Sequence, residues 1–223
     1  MTGLAWTALA AAGAAAAGNW IAVARGLRPL EYVCKPLALA LLVVVALALE
    51  PLSAAQRAWF VAALGASLAG DVLLMLPSAK TAPAGAAVPP AFVGGLGAFL
   101  GAHLAYLAGF AALGVTAAGL AVGAVVVVPA AATVGRTILR AAARAGDPLV
   151  TAALGGYLAV IGAMVVAAFG SGRPLAALGA AAFFVSDALI GWTRFVRPLP
   201  AAPIAIMVTY HLGQVGLVLS LPG

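Results

Sequence analysis

The chain has 223 residues, of which 65% are hydrophobic and only 7% charged, with a formal net charge of +6. A water-soluble domain carries about 25% charged residues, so too few are present here to coat a water-facing surface. The basic excess does not mark a nucleic-acid partner either, because the Lys and Arg residues lie in short stretches between long apolar runs, the arrangement of membrane topology signals.

Lipid is the solvent that fits. Apolar runs of about 20 residues cross the hydrocarbon as helices, which satisfy every backbone polar group within their own segment. The strict polar–apolar alternation of a barrel strand is absent. The expected fold is therefore all-α: one transmembrane domain over residues 1–223, a multi-pass bundle of about eight helices in the cell (inner) membrane. Cys34 is the single cysteine and excludes an intramolecular disulfide.

The first segment is expected at 3–24 and stops at Arg25-Gly-Leu-Arg28-Pro29. No Lys or Arg precedes Arg25, so the basic start of a signal peptide is missing and this stretch reads as a membrane helix. The second segment covers 31–49 and ends at Glu50-Pro51, and the third covers 58–76 and ends at Pro77. The stretch 77–90, rich in Ala, Pro and Gly and holding Lys80, reads as a loop. The fourth and fifth segments, 91–111 and 115–134, turn near Gly114. A connection over 135–148 holds Arg136, Arg140 and Arg144, then Gly146-Asp147-Pro148. Segments six, seven and eight cover 149–169, 175–193 and 201–220, separated by Ser171-Gly-Arg-Pro174 and by Arg194, Arg197, Pro198 and Pro200.

Charge orients the bundle. Nine of the 11 basic residues (Arg25, Arg28, Lys35, Lys80, Arg136, Arg140, Arg144, Arg194 and Arg197) flank the odd-numbered connections, against Arg57 and Arg173 on the other side. Those connections should be cytoplasmic, with both termini on the extracytoplasmic side. Arg136, Arg140 and Arg144 also share a face at i, i+4 spacing, which would suit anionic headgroups, although a plain topological role accounts for them.

Ionisable side chains inside spans cost about 2.5–3.5 kcal/mol each on insertion scales and tend to mark functional sites. Asp71, Asp187, His103 and His211 stand in such positions, with Lys35 in the first turns of the second segment. Asp71, Asp187 and Lys35 are expected at similar depth in the cytoplasmic half, with His103, Tyr210 and His211 nearer the midplane. Groups from five segments at one level would suit one cavity open to the cytoplasm. Blander roles exist for each residue taken singly: an interhelical hydrogen bond or a Lys35 partner for either aspartate, snorkelling for Lys35, packing for Tyr106, Tyr157 and Tyr210, and a structural amide for Asn19. A short echo links Gly-Asp71 followed by His103-Leu-Ala-Tyr106 with Ser186-Asp187 followed by His211-Leu-Gly-Gln214, which suggests a parallel four-plus-four repeat.

Taken together these motifs resemble the YhhN-like lysoplasmalogenase family. The resemblance rests on Lys35-Pro36-Leu, Ser67-Leu-Ala-Gly-Asp71-Val-Leu-Leu-Met, and Phe92-Val-Gly-Gly-Leu-Gly-Ala-Phe99 leading to His103-Leu-Ala-Tyr106. It continues through Tyr157, Met164, Gly179-Ala-Ala-Ala-Phe183-Phe-Val-Ser186-Asp187 and Thr209-Tyr210-His211-x-x-Gln214. His211 departs from the family pattern, in which a second aromatic commonly follows the tyrosine. The resemblance implies hydrolysis of the vinyl ether bond of a lysophospholipid substrate to a fatty aldehyde and glycerophosphoethanolamine or glycerophosphocholine, without a metal or cofactor. Asp71 and Asp187 would be catalytic, since two carboxyls in a low dielectric can share a proton. Lys35, His103, Tyr106, Tyr157, Ser186, Tyr210, His211, Gln214 and Asn19 would bind substrate or support them, with Lys35 toward the lipid phosphate. Two other readings use the same residues. One is a zinc-dependent lipid hydrolase, against which no His-x-x-His or His-Glu-x-x-His spacing occurs. The other is a proton-coupled or lipid transporter, against which no broken helix is evident in the sequence.

Overall fold

The computed structural model describes residues 1–76 and 89–222. The predicted loop 77–90, with Lys80, falls for the most part outside them. The helices are α1 (Gly3–Arg25), α2 (Arg28–Ala48), α3 (Ala54–Met75), α4 (Pro90–Leu113), α5 (Ala117–Ala130), α6 (Arg136–Arg144), α7 (Pro148–Gly170), α8 (Pro174–Phe195) and α9 (Ala202–Leu219). A π-helical turn, Ala131–Gly135, joins α5 to α6 without a break, so Ala117–Arg144 forms one span. Eight spans are then long and apolar enough to cross a membrane, and among the described residues no strand forms beyond one isolated bridge, Pro51 to Pro222. A span such as α1, with 23 residues, reaches about 34 Å at 1.5 Å per residue, enough for a hydrocarbon core of about 30 Å.

Local chemistry sets the ends of the spans. Thr2, Ser53 and Thr116 accept from the backbone N–H three residues on and start α1, α3 and α5. The Gly146-Asp147-Pro148 connection works in three steps. Gly146 takes the left-handed conformation at φ 89°, which costs a Cβ-bearing residue. Asp147 accepts from Leu149 N (2.9 Å) and Val150 N (3.1 Å) as the cap of α7, and Pro148 fills the first helical position, where its missing N–H costs nothing.

The largest departure from the sequence reading lies over 135–148. That stretch is expected as a connection, yet Arg136–Arg144 is helical. Its composition explains this: Ala, Leu and Arg are strong helix formers, and Ile138 and Ala142 are buried against Leu154 while the three arginines stand exposed on the opposite face. Pro129, inside the span, has no N–H to continue the ladder. The π turn follows it directly, and Thr133 Oγ donates to the Pro129 carbonyl at 2.7 Å. This span buries only 6% of its apolar window, against 33–39% for the others, so most of its surface is left for lipid.

The chain divides into two compact units, residues 1–109 with the C-terminal residues from Leu221, and residues 110–220. In the first unit α2 packs against α1 and α3, and Leu52 N donates to the Leu221 carbonyl at 2.9 Å. The α2 stripe Lys35, Ala38, Leu39, Leu42, Val45 and Ala46 is buried. In the second unit α7 packs against α5 and α8, and α8 against α9. The α8–α9 pair is close because of its glycines: a Cβ on Gly179 would stand 2.7 Å from Leu217 N and 2.8 Å from the Gly213 carbonyl. Without hydrophobic drive between helices in lipid, such small-residue contacts supply the packing.

Candidate functional site

Each unit builds one buried polar centre. In the first, α3 carries Asp71 one turn before its C-terminus, wholly buried, and α2 carries Lys35, buried as well. Lys35 Nζ lies 2.9 Å from Asp71 Oδ1, with side-chain exposures of 7% and 1%. An ammonium and a carboxylate this deep need each other, because leaving either charge alone in an apolar interior costs several kcal/mol. The lysine therefore does not snorkel. Immediately before the aspartate, Gly70 lets α3 approach α4: a Cβ there would meet the Phe99 ring at 2.8 Å and the Gly95 carbonyl at 3.2 Å. Also in this unit, His103, Tyr106 and Asn19 are fully buried. The Tyr106 ring meets Phe60 edge-on, with centroids 4.9 Å apart and planes at 85°.

In the second unit, α8 carries Asp187 two turns before its C-terminus, and Tyr157 of α7 donates to Asp187 Oδ2 at 2.6 Å. The preceding residue, Ser186, donates to the Ile206 carbonyl at 3.1 Å and ties α8 to α9. Tyr210, His211 and Gln214 are buried on α9. Tyr210 stands edge-on to Phe183 (centroids 5.3 Å, 72°) and tilted against His211 (5.3 Å, 47°).

The eleven predicted site residues thus fall into two sets. Asn19, Lys35, Asp71, His103 and Tyr106 belong to the first unit, and Tyr157, Ser186, Asp187, Tyr210, His211 and Gln214 to the second. The specific partnerships, Lys35 with Asp71 and Tyr157 with Asp187, are not legible in spacing because each joins different helices. Gly70 faces the carbonyl of Gly95, and Ser186 that of Ile206.

Two buried residues of the first unit, Phe60 and Gln56, carry little signal in the sequence. Phe60 supports Tyr106 from a position that looks like ordinary core. Gln56 lies outside the expected third segment, yet α3 begins at Ala54 and buries it completely; its only sequence signal is Ser53 as a cap. A cavity of about 340 Å³ in the second unit is lined by apolar and small residues, among them Val127, Gly135, Leu158, Gly162 and Phe184, and by none of the predicted site residues. Among the described residues no three His, Cys, Asp or Glu side chains gather as a metal centre requires.

No curated protein and no solved structure matches the chain. The model of the YhhN family matches residues 30–221, a stretch that takes in seven of the eight spans, both aspartates and their partners. With both buried carboxyl centres inside that match, this multi-pass membrane protein belongs to the YhhN family.

Proposed function

We propose that the protein is a hydrolase of the cell membrane that cleaves the vinyl ether bond of lysoplasmalogens, releasing a fatty aldehyde and a glycerophospho-alcohol. The observation that carries this reading is a pair of buried aspartates with unlike partners, one held by an ammonium and the other by a phenol. Vinyl ether hydrolysis asks for unlike carboxyls. A proton must be delivered to the alkene carbon, which leaves an oxocarbenium ion. Water then adds, and the hemiacetal collapses to aldehyde and alcohol.

Asp71, with its charge matched by Lys35, suits the carboxylate that stabilises the cation and receives the proton of the attacking water. Asp187 accepts from the Tyr157 hydroxyl, and in this reading it is the carboxyl that delivers the proton. Tyr157 positions Asp187. Ser186, through the Ile206 carbonyl, holds the α8 backbone beside it. By the charge asymmetry of the connections, both centres belong to the cytoplasmic half and both termini to the extracytoplasmic side. A single-chain lipid would present its tail to the apolar spans and its headgroup to the basic side.

The test is incubation of the purified protein, in lipid, with a lysoplasmenyl phospholipid, followed by measurement of free aldehyde. Asp71→Asn and Asp187→Asn should each abolish release while the protein remains inserted. Near-normal turnover by either variant would overturn the two-carboxyl mechanism.

A further inference from the structure

The first unit contains a polar group that the ion pair leaves unused. Asn19 of α1 is fully buried, and neither its Nδ2 nor its Oδ1 has a hydrogen-bond partner among the described residues. Register places it. Helices α1 and α2 are joined by a short turn and pack together, with Ala15 and Ala16 against Ala38. Gly18 faces Cys34, whose Sγ lies 2.9 Å from where a Cβ on that glycine would stand. One turn beyond Ala15 and Ala16 on α1 is Asn19, and one turn before Ala38 on α2 is Lys35, each on the buried stripe of its helix. Running oppositely, the two helices bring the carboxamide and the ammonium to one level.

A buried amide with both atoms unbonded bears its full desolvation cost, and native structures resolve this with an ordered water or a ligand. The Lys35 ammonium, ion-paired with Asp71 at 2.9 Å, has three N–H donors. A group that bridged the two residues would accept from Lys35 Nζ and from Asn19 Nδ2, and donate to Asn19 Oδ1. Water does all three. A phosphate oxygen accepts only and would leave Asn19 Oδ1 unbonded.

We propose that Asn19 and Lys35 hold a buried water molecule beside Asp71, and that this water is the nucleophile of the reaction. The second clause rests on the function proposed above. In that step the water oxygen bonds to the oxocarbenium carbon and its proton passes to the Asp71 carboxylate, giving the hemiacetal. The hemiacetal hydroxyl then loses its proton, the glycerol oxygen gains one as its bond to that carbon breaks, and aldehyde and alcohol are released. Asp71 then releases the proton it has taken to solvent and Asp187 takes one up, so both carboxyls are regenerated and the sum is one water consumed. Asn19 is a positioning residue, acting through the water.

The experiment compares wild type with Asn19→Leu and with Gln56→Leu, both in lipid nanodiscs. Gln56 is the control, a second buried carboxamide with neither atom partnered. Thermal unfolding reads occupancy without activity. If the amide holds water, the near-isosteric leucine lowers the Tm; if the site is dry, removing an unbonded amide raises it, which would overturn the proposal. Kinetics in water–methanol mixtures read the chemistry. Asn19→Leu should lower kcat about 100-fold at unchanged KM and raise the share of methyl acetal over aldehyde, whereas Gln56→Leu should leave that share unchanged. A raised KM at normal kcat would mean that Asn19 binds the headgroup, and the proposal would fail. If wild type releases no aldehyde from the vinyl ether lipid, the hydrolase reading and the nucleophile clause fall together, while the Tm comparison still decides whether water occupies the site.

Discussion

Separating Lys35 from Asp71 is the most severe small perturbation open in the first unit. The two groups are 2.9 Å apart with side-chain exposures of 7% and 1%. At an effective dielectric of about 20 their attraction is roughly 6 kcal/mol, and most of that is spent in removing both charges from water. The net worth of the pair against two apolar side chains is therefore small, but removing one partner leaves a buried charge and costs about 3–5 kcal/mol. Lys35→Met and Asp71→Leu should each destabilise by that amount, or about 6–20 °C at 2–4 °C per kcal/mol for a chain of this size. The double variant should return to within about 1 kcal/mol of wild type, because no charge is then left unpaired. Thermal unfolding of the four proteins in one lipid or detergent closes the cycle. If the double variant loses the sum of the two single losses, the groups do not pair and the first carboxyl centre is misdescribed. None of the three variants should release aldehyde, so stability and activity separate in the double variant.

Other consequences are as direct. Tyr157→Phe removes the hydroxyl that donates to Asp187 at 2.6 Å; at about 1.5–3 kcal/mol for a hydrogen bond to the carboxylate that develops as Asp187 gives up its proton, kcat/KM for aldehyde release should fall roughly 10- to 150-fold, and an unchanged value would remove Tyr157 from the site. Gly179→Val places a Cβ 2.7 Å from Leu217 N, where backbone rather than a movable side chain is in the way. It should destabilise by about 1–3 kcal/mol or more, and a Tm equal to wild type would refute the close α8–α9 contact. A C-terminal alkaline phosphatase fusion, active only outside the cytoplasm, should be active, and activity restricted to a cytoplasmic reporter would reverse the orientation drawn from the basic residues.

Much of the fold is legible in the sequence because lipid is a demanding solvent. Each span must satisfy its own backbone, so length and apolarity mark it without reference to any neighbour. Pro29, Pro148 and Pro174 each fall at the start of a helix, as their missing N–H requires. The same local logic fails over Arg136–Arg144. The arginines read as the end of a span, but the helix continues through them, because Ile138 and Ala142 on its other face find Leu154 of α7. The segment's composition favours a helix, but where the span ends depends on that partner helix.

The candidate site divides along the same line. The sequence alone determined that this chain lives in a membrane, that Asp71 and Asp187 lie within spans, and that His103, Tyr210 and Asn19 are polar groups out of place in lipid. Those follow from one-dimensional facts, the type of residue and its distance from the ends of an apolar run. Only the tertiary structure decided that Asp71 meets an ammonium and Asp187 a phenol, and that neither amide atom of the buried Asn19 finds a hydrogen-bond partner among the described residues. These are contacts between helices, set by rotation and register about each axis. A residue's position in the chain says how deep it lies, but packing against the next helix says what it faces.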